Sequence, residues 1–296
     1  MEELPGYSRR FSGRNGLITL NPKAPIKLPA CSSELEYTVE DSLRQELRML
    51  TDAFNSQTNI GDENGSGVFF TAPSPGTVAL FLGNNYYPDY GAYLEKLGEI
   101  LKIEYEIINE YGVFLQIDCP DIAMGRHTAF KHLSETQFLD IVDMNICVLN
   151  GALANIESKK CRAHICWGNY PGTHHRDIEL TKILPAVIKL IPQYISLESS
   201  NHRHAHEWEV FRDIPFPKDK VLLPGVIDTT SNIVEHPDLV RSRLLNFSKI
   251  LGPERIVAST DCGFASTASA TSVSEEAVWL KLDSLVKGAE AASREI

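Results

Sequence analysis

The chain has 296 residues, 43% hydrophobic and 23% charged, with a formal net charge of −11, an ordinary globular balance with room for one large domain or two small ones. So acidic a chain is expected to take neither nucleic acid nor an anionic membrane as partner, since both attract basic patches, and it holds no Lys/Arg-rich run. No apolar run approaches the ~18–20 residues that span a bilayer, and "MEELPGYSRRFSGRNG" lacks the apolar core of a signal peptide, so the cytoplasm is the expected location.

Residues 1–35 are rich in Pro, Gly and Arg and show little periodicity, which predicts irregular structure. "VEDSLRQELRMLTDAF" (39–54) has its apolar positions at helical spacing, and the polar, Gly-containing 55–67 predicts a loop. This first part, 1–66, is an irregular segment plus one helix. From 67 to 296 a single rhythm repeats, the pattern of one catalytic domain. "GVFFTAPSP" (67–75) is a β run followed by a helix over 90–111, and "GVFLQIDCP" (112–120) is followed by a helix over 134–156. "RAHICWG" (162–168) precedes a helix over 178–191, and "YISLESS" (194–200) precedes one over 206–214. "VLLPGVIDT" (221–229) precedes a helix over 236–252, and "RIVASTDCG" (255–263) precedes one over 274–296.

Short apolar strands alternating with amphipathic helices predict a parallel sheet with helices outside, either a (β/α) barrel or an open doubly wound sheet. The barrel is favoured because Ser74, Asp118, Cys166, Glu198, Asp228 and Cys262 all fall at C-terminal strand ends, where a TIM-type barrel has its mouth. A doubly wound nucleotide binder would carry a Gly-rich turn after a strand, and no G-x-G-x-x-G or Walker lysine loop occurs. Six units fall short of eight, so the expected fold is an α/β TIM-type barrel lacking its first one or two strand–helix units.

His164 and Cys166 lie two apart in a strand, so their side chains project from one face. Glu198 ends the next strand and Cys262 the last, and strand ends on one barrel face converge. One His, two Cys and a carboxylate make a tetrahedral zinc set, with ligands too soft for magnesium or calcium. The plainer reading is four unrelated buried residues. Cys31, Cys119, Cys147 and Cys161 have no partner motif and read as plain thiols.

The segments "FTAPSPGTVALFL", "GVFLQIDCPDIAM", "HICWGNYPGTHHRDI", "HRHAHEW", "LLPGVIDTTSNIVEHPDLV" and "IVASTDCGF" resemble the C-terminal catalytic domain of cobalamin-independent methionine synthase. The resemblance is nearest to the stand-alone methionine-synthase-II-like proteins, which include epoxyalkane:coenzyme M transferase, and it covers about residues 67–296. It implies a TIM barrel and a zinc ion held by His164, Cys166, Glu198 and Cys262. It further implies that the zinc binds an acceptor thiol as thiolate, which then attacks an electrophilic carbon. A free thiol, with pKa ~8.5, is mostly protonated at neutral pH, whereas a metal-bound one is deprotonated. The expected activity is therefore zinc-dependent S-alkyl or S-methyl transfer to a thiol, with a small-molecule substrate.

Two departures bear on methionine synthesis itself. The family carries a His two residues after the Asp of the segment written here "GVIDTTSN", and this chain has Thr230, which cannot act as a general acid near neutral pH. The family's first strands have no counterpart either. Two alternatives follow: a zinc-dependent lyase, hydrolase or isomerase of specialised metabolism, or a truncated paralogue without catalysis.

Asp118 is expected to contact substrate, and Asp121 either does so or caps the next helix. Asp228 is a second candidate catalytic carboxylate, and His174 or His175, with His175 preferred, a candidate proton donor. Ser74, Trp167, Asn169, Asn201 and Thr230 are candidate substrate contacts. Of His202, His204 and His206, one is expected to be functional and two structural. Because an incomplete barrel exposes two strand edges, the gap between 67–73 and 255–261 calls for a cover. Residues 15–30 are too Pro-rich to supply two central strands, so a homo-oligomer with an apolar interface there is expected.

Overall fold

The computed structural model describes Leu4 and residues 29–57, 67–265 and 273–296. Most of the N-terminal segment predicted to be irregular, and most of the 55–67 loop, lie outside the described residues. Five strands form one parallel sheet in chain order: β1 (Phe69–Pro73), β2 (Phe114–Asp118), β3 (Cys161–Ile165), β4 (Tyr194–Leu197) and β5 (Val221–Pro224). Neighbours in sequence are neighbours in space throughout, the winding of a barrel, with none of the strand-order reversal that defines a doubly wound sheet. Among the described residues β1 and the segment after Arg255 do not pair with each other, so the sheet is an open arc. A small separate ladder joins Ala30–Cys31 to Gly83–Asn84.

Six helices sit where the apolar spacing predicts them: α1 (Glu40–Gln57), α3 (Tyr90–Glu110), α4 (Glu135–Ala152), α5 (Leu180–Val187), α6 (Pro237–Leu251) and α7 (Glu275–Ser293); a further one, α2 (Pro75–Phe81), falls where no helix was expected. Their starts are chemically marked. Asp89 and Ser274 cap α3 and α7 through their side chains, and Ser134 with Gln137 forms a full capping box on α4. No described helix is long and apolar enough to cross a membrane.

Two predicted elements come out differently. The helix expected over 206–214 is a 3-10 turn, Glu207–Glu209, followed by one α turn, Val210–Asp213. The strand expected over 255–263 is not a regular strand but two isolated parallel bridges, Leu222 to Ile256 and Gly225 to Ser259. Pro224 supplies the reason. Its carbonyl accepts from Ser259 N at 3.3 Å, but it has no N–H to return a bond, so the ladder breaks between the bridges. The segment still runs beside β5 as a sixth, irregular strand.

The register divides the sheet into two unlike faces. Ala72, Ile117, Ala163, Ile195 and Leu222 are lateral partners, and each is fully buried in the core beneath the helices. Truncating one of these isoleucines or the leucine to Ala would cost about 2–5 kcal/mol. The opposite face carries Thr71, Gln116 and Arg162 in one layer, then Asp118, His164 and Ser196 in the next. A (β/α) barrel normally fills its interior with branched apolar side chains. Here the central strands put polar side chains on that face, with Phe69, Phe81 and Met124 among its apolar neighbours, and it opens on a cavity of ≈ 530 Å³.

Candidate metal centre

His164 stands at the end of β3 and Cys166 just beyond it, so the strand alternation puts both side chains on the inner face. Cys262 enters from the irregular sixth strand. The three potential ligand atoms all lie within 4.8 Å of one another, with Cys166 Sγ 3.5 Å from Cys262 Sγ. A tetrahedral zinc with Zn–S bonds of ~2.3 Å sets its sulfurs ~3.8 Å apart, so the observed spacing needs little adjustment to hold one. Ser196 Oγ sits 3.3 Å from His164 Nδ1 and orients the ring.

Glu198, one residue past β4, lies beside this trio but outside its compact set. Its Oε1 is 3.5 Å from Cys262 Sγ and accepts the Trp167 backbone N–H at 2.7 Å, while Oε2 accepts from Asn201 Nδ2 at 2.9 Å. Burial pushes its carboxyl well above the usual range, with the neighbouring Cys166 adding to the effect. The Cys262 thiol hydrogen-bonded to Cys166 holds the latter's pKa well below that of a free thiol, and Cys262 is correspondingly raised. A thiolate, a second thiol and an imidazole meeting in this way are the donor types that suit a soft cation such as zinc.

Two backbone features permit the convergence. Gly168 takes φ +112°, a turn closed to side-chain-bearing residues, and its N–H donates to Cys166 Sγ at 3.2 Å. At Gly225 a Cβ would sit 2.2 Å from Asp261 Oδ1, so only glycine lets β5 approach the Cys262 segment this closely. Asp261 was not among the expected site residues, yet it is the most connected carboxylate here. It is buried and accepts from Ser199 N, Ser200 N, Ser200 Oγ and Asn201 N at 2.7–3.0 Å, tying the loop after Glu198 to the residue before Cys262. Burial pushes its pKa up to about 6 despite those bonds. Its adjacency to Cys262 in "TDCG" is the signal that could have found it.

Of the expected substrate contacts, Asp118 lines the large cavity beside His164, and burial raises its pKa. Asn169 lines the same cavity, and also a smaller one of ≈ 160 Å³ above it, together with Asn201, Asp228 and Thr230. Thr230 gives its hydroxyl to Asp228 Oδ1 at 2.7 Å. His175 is exposed and lines neither cavity; His174, which lines the smaller one, is bonded to Asp177 and the Tyr170 carbonyl.

Ser74 and Trp167 stand elsewhere than expected. Ser74 is buried as the N-cap of α2, donating to Asp121 Oδ1 at 2.6 Å, because the Ser-Pro pair starts a helix at the strand end. Trp167 is fully buried, its indole donating to the Ile178 carbonyl at 2.7 Å and its ring centroid 4.3 Å from that of His204; only its backbone N–H faces the centre. Asp121 is likewise structural, accepting from Ser74, Thr77 and Asn145. In the histidine tract, His202 lines the upper pocket, His206 is exposed, and His204 is buried between Asp177 and Glu207.

Residues 91–289 match the family model described as "Cobalamin-independent synthase, Catalytic domain". The chain is 27% identical over 195 residues to the methionine synthase of Pyrococcus furiosus, covering 64% of this chain and 48% of that protein. It is 29% identical over 146 residues to the 2-hydroxypropyl-CoM lyase of Xanthobacter autotrophicus, covering 41% of this chain and 39% of that protein. The chain thus spans about half or less of the length of these relatives. A B12-independent methionine synthase from Shewanella sp. W3-18-1, solved in complex with selenomethionine, superimposes with a TM-score of 0.65 at 20% identity, covering 89% of this chain and 69% of that one. That likeness gives the fold, a TIM-type barrel. With the family model matched over two thirds of its length, the chain belongs to the cobalamin-independent synthase catalytic-domain family.

Proposed function

We propose that this protein is a zinc-dependent enzyme that activates a thiol for alkyl or methyl transfer, with residues 67–296 as its catalytic domain. The observation that carries the reading is the meeting of His164, Cys166 and Cys262 within 4.8 Å on the polar inner face of the sheet. These three would hold the ion, and Glu198 would complete the set. Zinc bound there supplies Lewis acidity that keeps an incoming thiol deprotonated near neutral pH.

The chain's own residues bind, orient and shield. Trp167 N–H and Asn201 fix the Glu198 carboxylate, and Asp261 fixes the loop from which Glu198 projects. Asp118 offers a carboxylate to substrate from the cavity wall, and Asn169, Asn201, Asp228 and Thr230 offer polar contacts from the mouth. In the transfer, a sulfur–carbon bond forms as the bond from that carbon to its leaving group breaks, and the thiol proton is released on binding. The reading does not extend to methyl transfer from a folate. Thr230 stands where that reaction would want an imidazole acid, and its hydroxyl is already given to Asp228.

Zinc X-ray absorption of the metal-loaded protein tests the reading. On adding homocysteine, coenzyme M or glutathione, one of the three is expected to add a sulfur neighbour to the zinc. Thr230, standing where the family carries an imidazole, favours a second reading, in which the zinc takes no thiol acceptor and would polarise an oxygen of the substrate in a lyase, hydrolase or isomerase reaction. A spectrum unchanged by all three thiols would select it.

A further inference from the structure

A run of consecutive residues, Gly168 to His174, lines the ≈ 160 Å³ cavity that also reaches Glu198 and Asp261. One side chain braces this stretch. His174 takes φ +48°, alone among the described non-glycine residues in the left-handed region, a conformation that the surrounding structure must hold in place. Its ring stacks on that of Tyr170 with centroids 4.4 Å apart. Its Nε2 lies 2.9 Å from the Tyr170 carbonyl oxygen, and its Nδ1 lies 2.7 Å from Asp177 Oδ2. A carbonyl and an ionised carboxylate only accept, so both bonds form together only when each ring nitrogen carries a proton. Asp177 is ionised there: burial opposes its charge, but the bonds from His174 and His204 hold its carboxyl below the usual range.

Charged and titratable groups reach this cluster from several elements. The 3-10 turn Met124–His127 brings His127, whose Nδ1 is 3.2 Å from Asp177 Oδ1, with Arg126 beside it. The loop after Glu198 brings His204, bonded to Asp177 and Glu207, and puts His202 and Arg203 on the cavity wall. Asp228 joins that wall from the segment after β5, and the loop itself adds the exposed His175 and Arg176. Burial lowers the pKa of His174 and His204 repels its proton, but Asp177 and the Tyr170 carbonyl outweigh both and leave it raised. Burial leaves His127 lowered instead, so His127 loses its proton first as pH climbs. We infer that His174 is a proton-operated latch on the 168–177 loop. The charged imidazolium locks the loop as a wall of the small cavity, and loss of one proton cuts one of its two bonds, frees the loop and opens that wall to solvent. The latch governs access to the metal centre and does not depend on which reaction runs there.

The test is amide hydrogen exchange of the full chain from about pH 6 to pH 10, each rate divided by the intrinsic rate at that pH. The amides of Tyr170, Gly172 and Asp177 donate within the loop, to the Gly168, Tyr170 and His174 carbonyls, and report its closure. Their protection is expected to fall about 10- to 100-fold as pH climbs through the folded pKa of His174, the value of one hydrogen bond to a charged group. Amides of β2, in the core, keep theirs. In His174→Asn, which accepts the left-handed backbone but does not titrate, protection of the loop is low at every pH. In His204→Gln the fall remains, because the bond from His174 to the Tyr170 carbonyl is still there to be lost. Protection that stays flat in the wild type, a measurement that needs no variant to fold, would overturn the inference. So would a fall that persists in His174→Asn, or one that vanishes in His204→Gln.

Discussion

His204 should make the stability of this protein fall as pH rises through about 9. The side chain is 2% exposed, with Nδ1 2.7 Å from Glu207 Oε2 and Nε2 2.9 Å from Asp177 Oδ2. Both ring nitrogens face carboxylates, an arrangement satisfied only when both carry protons. Burial alone would lower the pKa of this imidazole, but the hydrogen bonds to Asp177 and Glu207 outweigh it and push the value up to about 9 from 6.5. A group raised on folding contributes stability that is fully present below its unfolded pKa and lost as pH climbs through the folded one. Here the window runs from 6.5 to about 9. At 1.36 kcal/mol per unit, the charged state is worth about 3 kcal/mol. Urea unfolding of the wild type and His204→Gln, followed by tryptophan fluorescence from pH 6 to 10, isolates the contribution because other titrating groups largely cancel. The difference between them should shrink by about 3 kcal/mol across the window. A difference that stays constant would mean that His204 is neutral in the folded protein, and the reasoning from its two carboxylates would fail.

Other perturbations separate support from chemistry. Asp261→Ala strands three backbone N–H groups and a hydroxyl, and should weaken zinc binding about 10- to 100-fold in chelator competition, because the Glu198 loop loses its tether. Trp167→Phe should cost about 1–3 kcal/mol in denaturant melts through the orphaned Ile178 carbonyl. Its zinc affinity should stay unchanged, since the backbone rather than the indole holds Glu198. Lys281, fully buried, pairs with Glu235 at 2.9 Å and also binds the Asp228 carbonyl. Lys281→Met should therefore destabilise by about 3–5 kcal/mol, and Glu235→Gln on top should recover part of the loss.

The strand–helix alternation was legible because each strand pairs an apolar face under helices with a face of another kind, and several helices, α3, α4 and α7 among them, announce their starts with a capping side chain. The His-x-Cys pair was legible through the same alternation. The same rule two residues earlier puts Arg162 on that face, on the wall of the large cavity. It stops where the chain leaves the sheet. Beyond Ile165 the backbone turns at Gly168, and no periodicity says that the Trp167 ring is driven into the core while its amide faces the centre. Ser74 carries a local signal of its own, because a Ser before Pro at a strand end is a helix start. The broken sixth strand depended on its neighbour. Pro224 lies in β5, and its missing N–H acts on residues more than thirty positions away.

The central claim is a metal centre built from three soft ligands, and metal content tests it most directly. Zinc-loaded wild type, His164→Ala, Cys166→Ala and Cys262→Ala would be dialysed side by side and analysed for metal, with circular dichroism to confirm that each is folded. The account predicts about one zinc per chain in the wild type and large losses in all three variants. Stoichiometric zinc retained by all three would contradict it.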